Sequence, residues 1–262
     1  DTKKVLELFH GPTLAFKDFG ARFMSRMFSA LRKEADQDLI ILAATSGDTG
    51  SAVAQGFLGV EGIKVCLLYP SGKVSHIQEQ QLTTAGQNVT ALEVEGTFDD
   101  CQKMVKQAFS DPSLNEQLLM SSANSINIAR LLPQMFYYFY GVAQLDSDQP
   151  PIFCVPSGNF GNLTAGLMAQ RIGMPVAGFI AATNANDVVP DYLNTGEFKP
   201  RSSRRTISNA MDVGNPSNFA RIRHLFDGDL QQAQQQLWGT YFSDAQTRNA
   251  IREGERKGNE GM

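Results

Sequence analysis

The chain has 262 residues, 42% of them hydrophobic and 19% charged, with a formal net charge of −4. That is ordinary globular composition, enough chain for one large or two small α/β domains, and it leaves no global basic field to hold nucleic acid. No run approaches the roughly 18 apolar residues of a membrane-spanning helix, and the opening DTKKVLELFH has no signal-peptide pattern, so neither nucleic acid nor membrane is an expected partner.

The first residue is not Met and the last stretch, EGERKGNEGM, stops without a closing element, which suggests a fragment trimmed at both ends. Cys66, Cys101 and Cys154 are odd in number and too far apart to chelate. They read as buried, reduced thiols of a cytoplasmic protein. His10, His76 and His224 are scattered and lend a metal site little support.

In chain order, Phe19, Phe23, Met27 and Leu31 recur at helical spacing with Arg22, Arg26 and Arg32 between them. This predicts an amphipathic helix from Asp18, as N-cap, to about Glu34. DLIILAATSGDTG reads as a buried strand, a glycine turn and a helix beginning at Thr49, and IKVCLLYP as a strand stopped by Pro70. Residues 75–85 read as helix, 88–94 as strand, 98–110 as helix, and NSINIARLLPQMFYYFYGVAQL as a long helix kinked at Pro133.

The polar stretch DSDQPP is the linker candidate. After it come strand IFCVP, turn SGNFGN, helix 163–172 and strand VAGFIAATN. NDVVPDYLNTG reads as helix and loop, residues 196–220 as irregular, and the tail as helical. Alternating strands and helices predict an α/β fold with a mainly parallel sheet, right-handed crossovers and ligands at the carboxyl ends of the strands.

Two turns share one design. ATSGDTGSAVA (44–54) and VPSGNFGNLTAG (155–166) each end a strand, read Ser-Gly-(Asp/Asn)-X-Gly, and enter a helix. Glycines let consecutive N–H groups converge and the helix start adds its dipole, so both are candidate anion cups. Neither has the G-x-G-x-x-G spacing of a dinucleotide site. Asp48 stands in one cup where Asn159 stands in the other, and a carboxylate repels a dianionic phosphate. Phosphate is therefore assigned to Gly158, Asn159, Phe160, Gly161 and Asn162. A weaker anion such as a carboxylate is assigned to Thr45, Ser46, the backbone amides around Gly47, and Thr49.

Lys17 lies in ELFHGPTLAFKDFGARFM, with Leu14, Phe16 and Phe19 around it. Apolar surroundings disfavour an ammonium and so activate an amine. An activated lysine, a phosphate cup and a carboxylate cup are what a pyridoxal-phosphate enzyme acting on an amino acid needs.

FHGPTLAFKDFG, ATSGDTG, YPSGKVS, SANSINIAR and PSGNFGN, in this order and over nearly the whole chain, resemble the threonine synthase family of the tryptophan-synthase-β-like, fold type II pyridoxal-phosphate enzymes, in its bacterial and fungal branch. FKD alone would point only to the superfamily. The resemblance implies two open, mainly parallel twisted sheets flanked by helices. It groups 37–145 as a smaller domain and 1–36 with 146–262 as a larger one. It also implies an N-terminal domain before the lysine segment and a C-terminal portion facing the cofactor's pyridine nitrogen.

By the resemblance, Lys17 is the Schiff-base lysine and Gly158 to Asn162 the cofactor-phosphate loop. Asp48 replaces a frequent Asn beside the cofactor's phenolic oxygen. Thr45, Ser46, Gly47 and Thr49 form the substrate-carboxylate loop, and Asn124 and Ser125, at a helix N-terminus, grip the substrate phosphate with Arg130. On the residues alone Arg130 reads as a surface helix charge, and Lys73 has no assigned role. The implied substrate is O-phospho-L-homoserine and the implied reaction is γ-elimination of phosphate with β-addition of water, by a monomer or homodimer. A serine/threonine dehydratase-like lyase and a non-catalytic phosphate-binding paralogue are the alternatives.

Overall fold

The computed structural model describes residues 3–32 and 37–260. Contacts gather the chain into two compact units, Asp1–Gln134 and Met135–Met262. Each is built on an open, wholly parallel sheet flanked by helices, the α/β architecture expected.

The first unit runs α1 (Lys17–Leu31), β1 (Leu39–Ala44), α2 (Asp48–Phe57), β2 (Ile63–Pro70), α3 (His76–Thr83), β3 (Val89–Val94), α4 (Phe98–Ser110), α5 (Pro112–Gln117), β4 (Leu119–Ser122) and α6 (Ile128–Leu131), with strand order β3-β2-β1-β4. The central strands β1 and β2 are buried on both faces, which is why they read as continuous apolar runs. On one face Ile41, Val65 and Leu67 pack with Phe57 of α2, Ala21 and Met24 of α1 and Leu82 of α3. On the other, Leu42 and Leu68 pack with Cys101 and Val105 of α4. Each fully buried side chain of this size contributes about 1.5–3 kcal/mol of transfer free energy.

Several local expectations are corrected. Asp18 is not the N-cap of α1; Phe16 is, without a side-chain hydrogen bond. The buried Asp18 carboxylate is committed instead to the preceding loop, accepting from the Thr13 N–H at 2.9 Å and the Thr13 hydroxyl at 2.6 Å. The expected helix end at Glu34 lies outside the described residues. The long helix from residue 124 is broken in two: Pro133 has no N–H to donate, so α6 stops at Leu131 and α7 begins at Gln134. The short strand β4 was not read from the sequence.

The second unit comprises α7 (Gln134–Ala143), β5 (Ile152–Pro156), α8 (Gly161–Arg171), β6 (Gly178–Thr183), α9 (Val188–Thr195), a 3-10 turn (Asn209–Met211), α10 (Phe219–Leu225), α11 (Leu230–Gln234), β7 (Leu237–Tyr241) and α12 (Asp244–Glu260), with strand order β5-β6-β7. The tail expected to be wholly helical thus contains a strand, LWGTY, which pairs in parallel with β6. Cys154 lies on the edge strand β5 and is exposed, against the expectation of burial; Cys101 is buried and Cys66 half-buried.

The division between the units differs from the expected grouping. Helix α1 buries Ala21 and Met24 in the core of the first sheet, so residues 3–32 gather there and not with 146–262. The boundary falls after Gln134, ahead of DSDQPP. Tyr138 of α7 explains this, packing edge-on against Phe153 and Phe179 of the second sheet at 5.1 and 6.0 Å. The irregular segment 196–218 is held by side chains where regular structure is lacking. Asp212 accepts from the Thr206 N–H and hydroxyl and from Asn184, and Asn186 pairs with the backbone of Arg204. None of the described helices is long and apolar enough to cross a membrane.

Candidate active site

In the first unit the loops after the parallel strands β1, β2, β3 and β4 all leave the carboxyl edge of the sheet. Lys17, the first residue of α1, extends to the first of them: its Nζ lies 3.5 Å from Asp48 Oδ2 and 5.8 Å from the centre of the Phe16 ring. The Lys17 side chain is 16% exposed. Leu14 and Phe19, expected to wall the amine, are 73% and 41% exposed; the Phe16 ring meets the amine. Burial pushes the Lys17 amine below its ordinary value, and the Arg130 guanidinium acts in the same direction. The Asp48 carboxylate opposes both, by charge and by hydrogen bond. The neutral, nucleophilic amine is therefore reached at lower pH than on a surface lysine.

The loop after β1 is tightly self-bonded. The buried Thr45 hydroxyl accepts from the N–H groups of Gly47 and Gly50, at 3.0 and 2.8 Å, and donates to the Gly47 carbonyl. Thr45, expected to meet a substrate carboxylate, therefore spends its hydroxyl on shaping the loop. The N–H groups of Ser46, Asp48 and Thr49 have no partner among the described residues. They and the half-buried Thr49 side chain are the donors this turn has left to offer. Gly47 has φ of 137°, and a Cβ on it would lie 2.4 Å from the Gln78 side chain. Gln78, which the sequence reading did not single out, donates from Nε2 to Asp48 Oδ1 at 2.6 Å.

After β4, Asn124 does not stand at a helix N-terminus as expected. Its side-chain amide brackets Ala44, donating to the carbonyl at 2.7 Å and accepting from the N–H at 3.3 Å, and so extends the pairing of β4 with β1. Asn127 caps α6 instead, accepting from the Ala129 N–H. Ser125 sits half-buried in the intervening turn. Arg130, read from its residue type alone as a surface charge, is 3% exposed. Its Nη1 donates to the Ala123 carbonyl at 2.6 Å and its Nε has no hydrogen-bond partner. Burial lowers it to about 10. Gly20 permits this placement beside α1, since a Cβ there would lie 2.8 Å from the Arg130 carbonyl oxygen. Lys73 is exposed.

In the second unit the loop after β5 leads into α8. Phe160 is buried in the left-handed region, with φ of 62°. The N–H groups of Phe160, Gly161 and Asn162 have no partner among the described residues. The loop is braced from behind: Asn159 Oδ1 accepts from the Ser217 N–H at 2.7 Å, and Asn218 donates to the Asn159 carbonyl at 3.1 Å. A Cβ on Gly158 would lie 2.7 Å from Met211 Cα. Met211, Ser217 and Asn218 were not foreseen, because nothing in their spacing ties them to a turn some 50 residues earlier. A neutral turn with unspent N–H groups at the head of a helix fits a phosphate.

A family model described as pyridoxal-phosphate-dependent enzyme matches residues 5–258. The chain belongs to this family. Threonine synthase from Buchnera aphidicola of Acyrthosiphon pisum is 53% identical over 222 residues, which are 84% of this chain and 52% of that protein. The crystal structure of threonine synthase from Escherichia coli matches with a TM-score of 0.89 at 49% identity, over 97% of this chain and 59% of that one. The pyridoxal-phosphate-bound threonine synthase from Brucella melitensis matches with a TM-score of 0.82 at 36% identity, over 93% of this chain and 58% of that one. The chain thus spans between about half and three-fifths of the length of these relatives. The family's fold type II architecture is the one described above.

Proposed function

We propose that this chain is the central part of a threonine synthase, a cytoplasmic enzyme that binds pyridoxal 5'-phosphate and converts O-phospho-L-homoserine and water to L-threonine and inorganic phosphate. One observation carries the reading. In a single unit, a lysine whose ammonium form is disfavoured by burial lies in the field of a buried arginine with an unspent Nε. Those are the groups needed to handle an aldehyde cofactor and a phosphorylated amino acid. The names of the similar proteins support the same substrate.

The chain's residues fit the cofactor. In the first unit Lys17 would offer the amine for its aldehyde, with Asp48 beside that amine; in the second, Gly158, Asn159, Phe160, Gly161 and Asn162 would offer a neutral phosphate loop. Bound pyridoxal phosphate supplies an electron sink for the carbanion formed at the substrate's α-carbon. The neutral Lys17 Nζ would take the substrate's α-proton and then a β-proton; one amine serving both positions is a proximity effect. The turn of Ser46, Gly47, Asp48 and Thr49, shaped by Thr45, holds the substrate carboxylate. Ser125 and Arg130, in the segment that Asn124 anchors to Ala44, hold the leaving phosphate. The Arg130 contact strengthens as that group gains charge, so it lowers the barrier as well as binding.

The test is a product assay on the full-length protein with O-phospho-L-homoserine. Phosphate and threonine released in equal amounts are expected. Release of a 2-oxo acid without phosphate would move the assignment to a dehydratase-like lyase.

A further inference from the structure

We propose that Gln78 is a positioning residue for the reactive amine: it fixes the Asp48 carboxylate against Lys17, and its own orientation is dictated by the N-terminal cap of α3. The proposal rests on the reading that Lys17 carries the cofactor, and deepens it.

Gln78 is the third residue of α3 and 9% exposed. Its backbone N–H donates to the Ser75 hydroxyl, and its Oε1 accepts the Ser75 N–H at 3.1 Å, a complete capping box. Because the carbonyl end of the amide is spent on Ser75, the NH2 end must face away from the cap, and there it meets Asp48 Oδ1 at 2.6 Å. The other carboxylate oxygen, Oδ2, faces Lys17 Nζ. Along Ser75–Gln78–Asp48–Lys17 the Ser75 N–H donates to Gln78, Gln78 donates to Asp48, and the Asp48 carboxylate accepts on both sides.

Packing closes the alternatives. The Gln78 amide lies over the Cα of Gly47, where a Cβ would be 2.4–2.5 Å from three of its atoms. The φ of 137° at Gly47 is one that residues with a Cβ rarely adopt. Loop, cap and carboxylate are thus built around one side chain. The charged groups facing Lys17 are Asp48 from α2 and Arg130 from α6; Asp18, next to Lys17 on α1, is turned to Thr13. Gln78 is neutral and adds no charge of its own. Its contribution is to hold one carboxylate of fixed orientation next to the amine.

Gln78→Glu separates this role from the structural one. Glutamate completes a capping box as well as glutamine does, so the helix start is retained. It replaces the donor facing Asp48 with an acceptor, and places a second carboxylate behind the first. In the full-length protein stripped of cofactor, the fraction of neutral Lys17 amine is read against pH by competitive acetylation and mass spectrometry of its peptide. The variant is expected to raise the midpoint by about one pH unit, leaving about tenfold less neutral amine at a given pH below the midpoint. Asp48→Asn combined with Gln78→Glu exchanges donor and acceptor across the same hydrogen bond and restores a single carboxylate. It is expected to bring the neutral fraction back to within about threefold of wild type at that pH.

An unchanged midpoint in folded Gln78→Glu overturns the proposal, as does a swapped pair that recovers nothing. If Gln78→Glu alone does not fold, recovery of both fold and midpoint in the swapped pair supports the proposal, and its absence contradicts it. Because this titration is read without cofactor, it can succeed or fail independently of whether Lys17 carries pyridoxal phosphate. Borohydride labelling of the loaded wild type answers that second question.

Discussion

The turn at the head of α2 and the turn at the head of α8 have nearly the same sequence grammar and are held in opposite ways. The first, Ser46-Gly47-Asp48-Thr49-Gly50, is fastened from within by the Thr45 hydroxyl and from the side by Gln78, and it presents a carboxylate to an amine. The second, Ser157-Gly158-Asn159-Phe160-Gly161, is fastened from behind by Ser217 and Asn218 and carries no charge. Its side-chain oxygen at the Asp48-equivalent position points to a backbone N–H of its own unit. In the proposed reading both strand–glycine–helix turns are anion cups, and the residue at the third position, with what grips that residue, decides which anion.

The sharpest way to break the distinction is Asn159→Asp. The new carboxylate keeps an acceptor for the Ser217 N–H while a negative charge enters the turn. Retention of pyridoxal phosphate by the full-length protein, followed by absorbance during dialysis, is expected to weaken by about 100-fold, on the order of 2.7 kcal/mol. An affinity within about threefold of wild type would show that this turn does not hold the phosphate.

Neutralising the first turn sharpens the comparison from the other side. Asp48 favours the ammonium form of Lys17, so Asp48→Asn leaves burial and Arg130 unopposed. The Lys17 midpoint is expected to fall further, by about one pH unit. Arg130→Met removes a cation that disfavours the ammonium, and the midpoint is expected to rise by somewhat less. Shifts of the same sign in the two variants would contradict the assigned electrostatics. The stability consequence follows in sign. Lys17 binds its proton less tightly folded than unfolded, so between the lowered value and the ordinary 10.5 the unfolded chain holds more protons. Stability therefore rises with pH across that window, and Asp48→Asn extends the window downward.

Much of this was legible in the chain itself, for physical reasons. Buried parallel strands read as apolar runs, so β1, β2 and β6 could be placed, and the edge strands β3 and β5, VTALEV and IFCVP, were still apolar enough to read; the edge strands β4 and β7, LMSS and LWGTY, have no such signature. The two turns were visible because glycine spacing is local. Lys17 stood out by its aromatic neighbours, although Phe19 and Leu14 prove to be exposed. Arg130 could not be separated from a surface charge by its residue type, because its burial depends on Gly20 admitting the first turn of α1 to α6. Gln78 was within reach: Ser75-x-x-Gln78 is a capping box in plain sequence, but its contact with Asp48 comes from a loop 30 residues away.

The central claim is that Lys17 is the amine that carries the cofactor. Full-length protein loaded with pyridoxal phosphate, reduced with borohydride and digested, tests it directly. A single pyridoxyl-modified peptide is expected, with the added mass on Lys17, formed as the visible absorbance disappears. Modification at another lysine, or reduction that leaves Lys17 unlabelled while the cofactor is bound, would contradict it.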